Sequence, residues 1–198
     1  ISLLKGNLHF DLSAYWMDGF NEIISVRQEN GEFRNENAGR TRHMGLEYGV
    51  HYKPIKDIVI RVSGSNAAHL FVEYDERGTS YSGNSMPQAP AWIFNTEVIY
   101  KPSFAKGLRI GVEMMHMSPY YMDAANTKQF NGFLIFNARA GYEIKGFEIW
   151  CNLMNFTNQL WSPNASLSRW GESITVGNPI NVNIGLGYNF VAGMYKKK

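Results

Sequence analysis

The chain has 198 residues, of which 44% are hydrophobic and 14% aromatic, and these proportions exclude an intrinsically disordered chain. Lys and Arg number 19 against 17 Asp and Glu, a net charge of +2 that is too balanced to indicate a nucleic-acid partner. No run of about 18 apolar residues occurs, so a transmembrane helix is excluded and a membrane span would have to be built from strands.

Strict alternation of apolar and polar residues predicts eight antiparallel strands. They span about 6–28, 33–53, 57–73, 90–101, 107–122, 132–144, 147–158 and 178–190. The first two strands flank Asn30-Gly31, a pair typical of tight hairpins. In the last strand every second residue from 180 to 190 is apolar, and the residues between them are Asn or Gly. The sequence therefore predicts an all-β meander.

The polar face of these strands carries charges. In one strand Leu108, Ile110 and Val112 alternate with Arg109 and Glu113. Charged side chains opposite aliphatic and aromatic ones indicate a barrel with a wet interior and a lipid-facing exterior. On the lumen wall we expect a ladder of ion pairs formed by Arg109, Glu113, Arg139 and Glu143.

Connections alternate in length along the chain. Those at 53–56, 102–106 and 145–146 are short, whereas 73–89, 123–131 and 159–177 are long. Outer-membrane barrels have short periplasmic turns and longer extracellular loops, so the long connections are predicted to lie outside the cell. A periplasmic ring of outward aromatic side chains is expected from Tyr52, Tyr100, Tyr142 and Tyr188.

Two motifs resemble a known family, the TonB-dependent outer-membrane receptors. The segment 37–47 with the following Tyr52-Lys53-Pro54 resembles one of the family's C-terminal barrel strands and its turn, and 152–161 is similar to the penultimate strand. The last strand, closing at Phe190, resembles the terminal strand. The family ends at that aromatic residue, whereas here five further residues and three lysines follow.

The resemblance implies that residues 1–190 are strands from the C-terminal third of a barrel of about 22 strands, followed by a basic tail at 191–198. It implies an outer-membrane receptor of a Gram-negative bacterium for a scarce nutrient: an iron chelate, haem, a cobalamin or a glycan. Its partners would be outer-membrane lipid, the nutrient, and the inner-membrane TonB system acting through a plug domain. Consistent with a processed chain or fragment, the sequence opens at Ile1 without an initiator Met or a signal segment.

Loops carry recognition on a rigid barrel, so ligand contacts are expected from aromatic residues of the long connections. These candidates are Tyr74, Tyr81, Tyr120, Tyr121, Trp161 and Trp170. No catalytic residue, cofactor or metal ligand is predicted. The five histidines show no metal-ligand spacing, since His43 and His51 on one strand face would be about 27 Å apart at strand rise. The single Cys151 has the phase of the apolar face.

Two alternatives remain open from the residues alone. A complete eight-stranded barrel with a structural or adhesive role fits the even strand count and the length. A small outer-membrane barrel enzyme would need a Ser or Asp with a His near one rim, and the sequence contains no nucleophile motif that indicates such a site.

Overall fold

The computed structural model describes residues 2–27, 32–76, 78–168 and 170–190. Within these ranges the chain is almost entirely strand, with one 3-10 turn at Leu4–Gly6. The strands are β1 (Ser2–Leu3), β2 (Leu8–Arg27), β3 (Phe33–Ile55), β4 (Ile58–Glu73), β5 (Asp75–Glu76), β6 (Thr79–Ser80), β7 (Trp92–Tyr100), β8 (Leu108–Met117), β9 (Tyr120–Tyr121), β10 (Gln129–Phe130), β11 (Phe133–Ile144), β12 (Phe147–Met154), β13 (Asn164–Ser168), β14 (Gly171–Thr175) and β15 (Asn181–Tyr188).

Nine strands form one antiparallel sheet in the order β1-β2-β3-β4-β7-β8-β11-β12-β15. All eight predicted strands are confirmed, and β1 is a two-residue addition at the edge. Three strand boundaries were predicted too wide. β8 ends at Met117 because Pro119 follows and has no N–H to donate, and β12 ends at Met154 because Asn155 is left-handed, with a φ of 47°. β15 begins only after Pro179.

The long connections were predicted to be loops without strands, and this prediction was wrong. Each contains a two-stranded ribbon, formed by β5 with β6, β9 with β10, and β13 with β14. The predicted Asn30-Gly31 turn and the predicted basic tail at 191–198 lie outside the described residues. We call the ribbon side of the sheet the loop end, and the side with the short connections the turn end.

The sheet has one apolar and one polar face, and its register keeps them separate from strand to strand. One continuous cross-strand row consists of Tyr52, Ile60, Val98, Val112, Ala138, Leu153 and Val182. This apolar face is exposed: Val182, for example, shows 57% of its surface. The buried core lies instead at the loop end, in two clusters around Phe71 and Tyr120.

The turn at 145–146 illustrates how local residues fix this register. Lys145 and Gly146 both have positive φ, 50° and 86°, as a two-residue turn between β11 and β12 requires. With that turn set, Ile144 pairs with Phe147, and the pairing continues to Ala138 opposite Leu153.

The sheet is open in the part of the chain that the structure describes. Its outermost strands are β1 and β15, and no ladder joins β15 to β1 or β2 there. Closure into an eight-stranded barrel, one of the two alternatives left by the sequence, is therefore not the arrangement found. Among the described residues there is also no helix whose length and hydropathy would let it cross a membrane.

Candidate functional site

A cavity of about 530 Å³ lies at the loop end. Its walls come from the end of β4, from the connection carrying β5 and β6, from the β9–β10 connection and from β13. The volume falls in the range of small-molecule sites. The three ribbons thus converge on one concave space.

Aromatic rings form one wall of this cavity. Phe71 and Tyr74 have ring centroids 4.7 Å apart, and Tyr74 and Tyr81 are 5.8 Å apart. Tyr74 is buried and its hydroxyl donates to Glu76 Oε2 at 3.2 Å. Burial and the nearby Glu76 carboxylate raise the pKa of Tyr74 above its usual range, so the phenol stays neutral.

The β5–β6 and β9–β10 connections are tied together by side-chain amides. Asn126 accepts from the Ser85 N–H and donates to the Ser85 carbonyl, each at 2.9 Å, and Asn84 donates to the Ala124 carbonyl at 2.9 Å. Asn126 has a φ of 57°, a conformation that Asn adopts more readily than most residues. Its turn is capped by Asp123, which accepts from Thr127 and Lys128 N–H groups.

The third connection is joined to the second by Tyr120. Its hydroxyl accepts from the Ala165 N–H and donates to the Ala165 carbonyl, both at 2.7 Å. Lys128 Nζ lies 3.7 Å from Glu172 Oε1 and adds a longer contact between the same connections. All three connections are therefore cross-linked above the sheet.

The structure separates the six predicted ligand-contacting residues. Tyr74 and Tyr81 line the cavity. Tyr120 is buried with its hydroxyl occupied, and Tyr121 lies on the β9 ribbon, where its carbonyl accepts from the Gln88 N–H. Trp161 packs against Phe133 and donates to the Asn178 carbonyl, while Trp170 is 85% exposed away from the cavity wall.

Several cavity residues were missed by the sequence analysis. Phe71, Met86, Met122 and Glu76 line the space although none was predicted as a contact. Phe71 lies on the polar-face side of β4, opposite Thr41. Its place near the loop end of a predicted strand could have indicated that it reaches the cavity. Nothing in the local sequence marks Met86 as a cavity residue.

Two members of the predicted ion-pair ladder, Glu113 and Arg139, pair with each other on the polar face, whereas none of the ion pairs found among the described residues includes Glu143. Arg139 Nη2 lies 2.7 Å from Glu113 Oε2, and its Nη1 is 3.5 Å from Glu97, which also binds Arg61 at 3.0 Å. The prediction for Arg109 was wrong in detail, because it pairs with Glu148 on β12. Its guanidinium crosses β11 over Gly141, where a Cβ would come within 2.8 Å of Arg109 Cζ.

Metal ligation was predicted to be absent. Among the described residues, no three His, Cys, Asp or Glu side chains converge in a way that could hold an ion. Two histidine pairs were nevertheless missed, since His43 faces His69 across β3 and β4 and His9 faces His51 across β2 and β3.

The fold, the two-faced sheet and the ribbon-bounded cavity can be compared with known proteins. A family model described as "TonB dependent receptor-like, beta-barrel" matches residues 1–167. The chain belongs to this family. The resemblance predicted from the two motifs is thereby confirmed, as is the all-β barrel-strand architecture.

Solved TonB-dependent receptors share the fold at low sequence identity. The siderophore receptor PiuA from Acinetobacter baumannii is 18% identical with a TM-score of 0.76, covering 94% of this chain and 27% of PiuA. The ferric yersiniabactin uptake receptor FyuA from Yersinia pestis is 14% identical with a TM-score of 0.72, covering 94% of this chain and 28% of FyuA. The copper transporter OprC is 15% identical with a TM-score of 0.72, covering 92% and 28%. The chain thus spans little more than a quarter of the length of each receptor.

Proposed function

We propose that this chain supplies wall strands and outer connections to the barrel of an outer-membrane TonB-dependent receptor that imports a scarce nutrient in a Gram-negative bacterium. The observation that carries the proposal is the exposed apolar face, which continues across strands from β3 to β15. In water such a surface would be unfavourable, whereas hydrocarbon accommodates it. The opposite face, with Arg61, Glu97 and Arg139, then lines the lumen.

Family membership supports the same proposal. TonB-dependent receptors couple uptake to the inner-membrane TonB system through a plug domain, and that coupling would lie in parts of the protein beyond this chain. The similar proteins are a siderophore receptor, a ferric yersiniabactin uptake receptor and a copper transporter. We infer a nutrient of the iron-chelate or metal-complex kind for this protein.

The loop-end cavity is the proposed point of capture. Tyr74 and Tyr81 supply aromatic surface, and Glu76 and the neutral Tyr74 hydroxyl supply polar groups that can orient a ligand. Tyr120, Tyr121 and Trp161 are proposed to act indirectly, because their contacts hold the connections that form the walls.

The proposal is tested by uptake in a strain that lacks the full-length receptor and is complemented with variants. Restored growth on one iron chelate, haem, cobalamin or glycan as a limiting source identifies the nutrient. Tyr81→Ala is expected to weaken apparent affinity for it roughly fivefold, since a lost aromatic contact is worth about 1 kcal/mol.

Trp170→Ala is the matched control, because Trp170 is aromatic and exposed but does not line the cavity. A large loss with Trp170→Ala and none with Tyr81→Ala would move the capture site away from the cavity. Normal growth of the deletion strain on every limiting nutrient would overturn the transport proposal itself.

A further inference from the structure

His43 on β3 and His69 on β4 face each other on the polar side of the sheet. Their Nδ1 atoms are 2.7 Å apart, and the ring centroids are 5.0 Å apart at an interplanar angle of 58°. The pair lies next to the loop end, where Met86 N–H donates to the His69 carbonyl. Two imidazoles meeting nitrogen to nitrogen is an arrangement that demands one proton, or one ion, between them.

The tautomers of this pair follow from its neighbours. Glu22 Oε2 lies 3.3 Å from His43 Nε2 and also accepts from the Thr41 hydroxyl at 2.5 Å. An ionised carboxylate only accepts, so His43 Nε2 carries the hydrogen, and in the neutral ring His43 Nδ1 is then a bare acceptor. His69 Nδ1 must then donate to it.

Burial keeps this arrangement in place. Thr41 is fully buried, and the His43 side chain is only 14% exposed. Gly19 contributes by lacking a side chain, since a Cβ there would come within 2.6 Å of Thr41 Oγ1. A carboxylate bound to the far nitrogen of a histidine is also the usual way in which proteins orient a metal-ligating imidazole.

We propose that the Nδ1 atoms of His43 and His69 together bind a divalent late transition-metal ion, with Cu²⁺ bound more tightly than Zn²⁺. Imidazole nitrogen suits both ions, and Cu²⁺ has the higher affinity for a given nitrogen site. Water completes the coordination, because the described residues offer no third His, Cys, Asp or Glu at this point.

The geometric change needed is small. Two nitrogens that each lie about 2.05 Å from an ion are about 2.9 Å apart at the right angle of a tetragonal Cu²⁺ site and about 3.3 Å apart in a tetrahedral Zn²⁺ site. The observed 2.7 Å contact therefore has to widen by about 0.2 Å for Cu²⁺ and by about 0.6 Å for Zn²⁺. The His69 proton passes from Nδ1 to Nε2 through solvent, and no net proton is released. His43 keeps its Nε2 hydrogen bond to Glu22 throughout.

The test uses the full-length receptor purified from outer membranes in detergent and stripped of metal. Cu²⁺ is added, and its electron paramagnetic resonance spectrum is expected to show hyperfine coupling from two imidazole nitrogens in the unmodified protein. His43→Ala and His69→Ala should each remove this signal and lower Cu²⁺ affinity by at least tenfold. Glu22→Gln should weaken binding by about 10–100-fold without removing either nitrogen.

His116→Ala is the control, because the cross-strand partners of His116 on β7 and β11 are Phe94 and Leu134 instead of a histidine. It should leave both the spectrum and the affinity unchanged. A two-nitrogen signal that survives the His43→Ala and His69→Ala double variant would overturn the proposal, as would its absence in the unmodified protein. Because the unmodified protein must itself show the two-nitrogen signal, the proposal can be tested even where a variant fails to fold.

Discussion

At the scale of single residues, Tyr120 shows how one side chain can hold a connection in place. Its phenol forms two hydrogen bonds with the Ala165 backbone, 45 residues away in the chain. Both partners are buried, so neither bond can be replaced by water without rearrangement. The shape of the loop end therefore depends on a residue that does not line the cavity.

Tyr120→Phe is expected to destabilise the third connection. Removing the hydroxyl leaves the Ala165 N–H and carbonyl unsatisfied, at a cost of about 1–3 kcal/mol. Amide hydrogen exchange in 164–168 should accelerate accordingly. Tyr121→Phe is the control, because the hydrogen bond from Gln88 N–H to Tyr121 uses the Tyr121 carbonyl and not its hydroxyl. Unchanged exchange in Tyr120→Phe would contradict the role of the Tyr120 hydroxyl in holding this connection.

Gly141→Val is expected to break the Arg109 to Glu148 ion pair. The added side chain would occupy the space through which the guanidinium crosses β11. Because the pair is only partly exposed, we expect a destabilisation of about 1 kcal/mol or more, measurable by urea unfolding of the full-length protein. Gly49→Val on β3 serves as control, since a Cβ at Gly49 would meet only ordinary contacts.

Sequence reasoning could predict Tyr74 and Tyr81 as site residues because both are aromatic residues in a long connection. The same reasoning could not predict that the Tyr120 hydroxyl bonds to Ala165, because Ala165 lies in another connection and leaves no local pattern. His43 and His69 were missed for a related reason. Periodicity gives each residue a face, but the pairing of His43 with His69 depends on a register that shifts between Tyr52 and Ile55, next to the turn, and cannot be counted from the sequence.

At the scale of elements, the turn end and the loop end are built differently. The turns between strands are short, and Asp57, in the turn before β4, joins its turn to the one after β7. Its carboxylate accepts from the Ser103 N–H at 2.9 Å and from the Ser103 hydroxyl. The loop end instead uses ribbons of two to five residues tied together by amides and one phenol.

The link between these two turns should depend on pH. Hydrogen bonds from the Ser103 hydroxyl and N–H lower the pKa of Asp57 below its ordinary value. A lowered folded-state pKa contributes stability above the unfolded value, near 3.9, and that stability is lost as pH falls through the folded value. Exchange protection of the Ser103 amide should therefore persist at pH 5 and disappear in stronger acid. Loss of protection already at pH 5 would contradict a lowered pKa of Asp57. The Ser103→Ala variant, which lacks the hydroxyl, should show weaker protection of this amide at every pH.

Asn126→Ala is expected to loosen the first two ribbons from each other. The variant loses both amide hydrogen bonds to Ser85 and places Ala at a positive φ. Exchange should increase in both 79–85 and 123–128. Asn131→Ala, in the same connection, is the control, and equal effects of the two variants would contradict a specific role for Asn126.

The long strands were predictable because a period of two repeated over eight or more residues identifies them. The ribbons were not, because β5, β6, β9 and β10 have only two residues each and cannot show a period. Their existence depends on contacts between connections, such as Asn84 with Ala124, that are some 40 residues apart.

At the scale of the whole molecule, the two faces of the sheet differ in polarity and suit different environments. Its apolar face is exposed along its full width, and its polar face holds ion pairs and the histidine pair. The two-faced pattern was fully predictable from alternation. The open edges at β1 and β15 agree with the predicted segment of a larger barrel, which the strand count alone could not distinguish from a closed eight-stranded barrel.

Neighbouring positions on β15 provide the test of this orientation. Val182 pairs with Leu153 on the apolar row, and Asn183 pairs with Asn152 on the other face. In a Cys151→Ala background of the full-length protein in outer membranes, Asn183→Cys should react with a water-soluble thiol reagent and Val182→Cys should not. A lipid-soluble spin quencher should give the reverse order. Equal labelling of both would contradict a lipid-facing apolar row.

The cross-links among the three ribbons have a kinetic consequence. A capturing surface made of free loops must lose conformational entropy when it closes on its ligand, and that loss limits affinity. Here Asn126 and Tyr120 have already imposed much of that order before any ligand arrives. Association should therefore follow diffusion into an open cleft, with a rate proportional to ligand concentration and without a slow closing phase. Differences in affinity among related ligands should appear in their residence times.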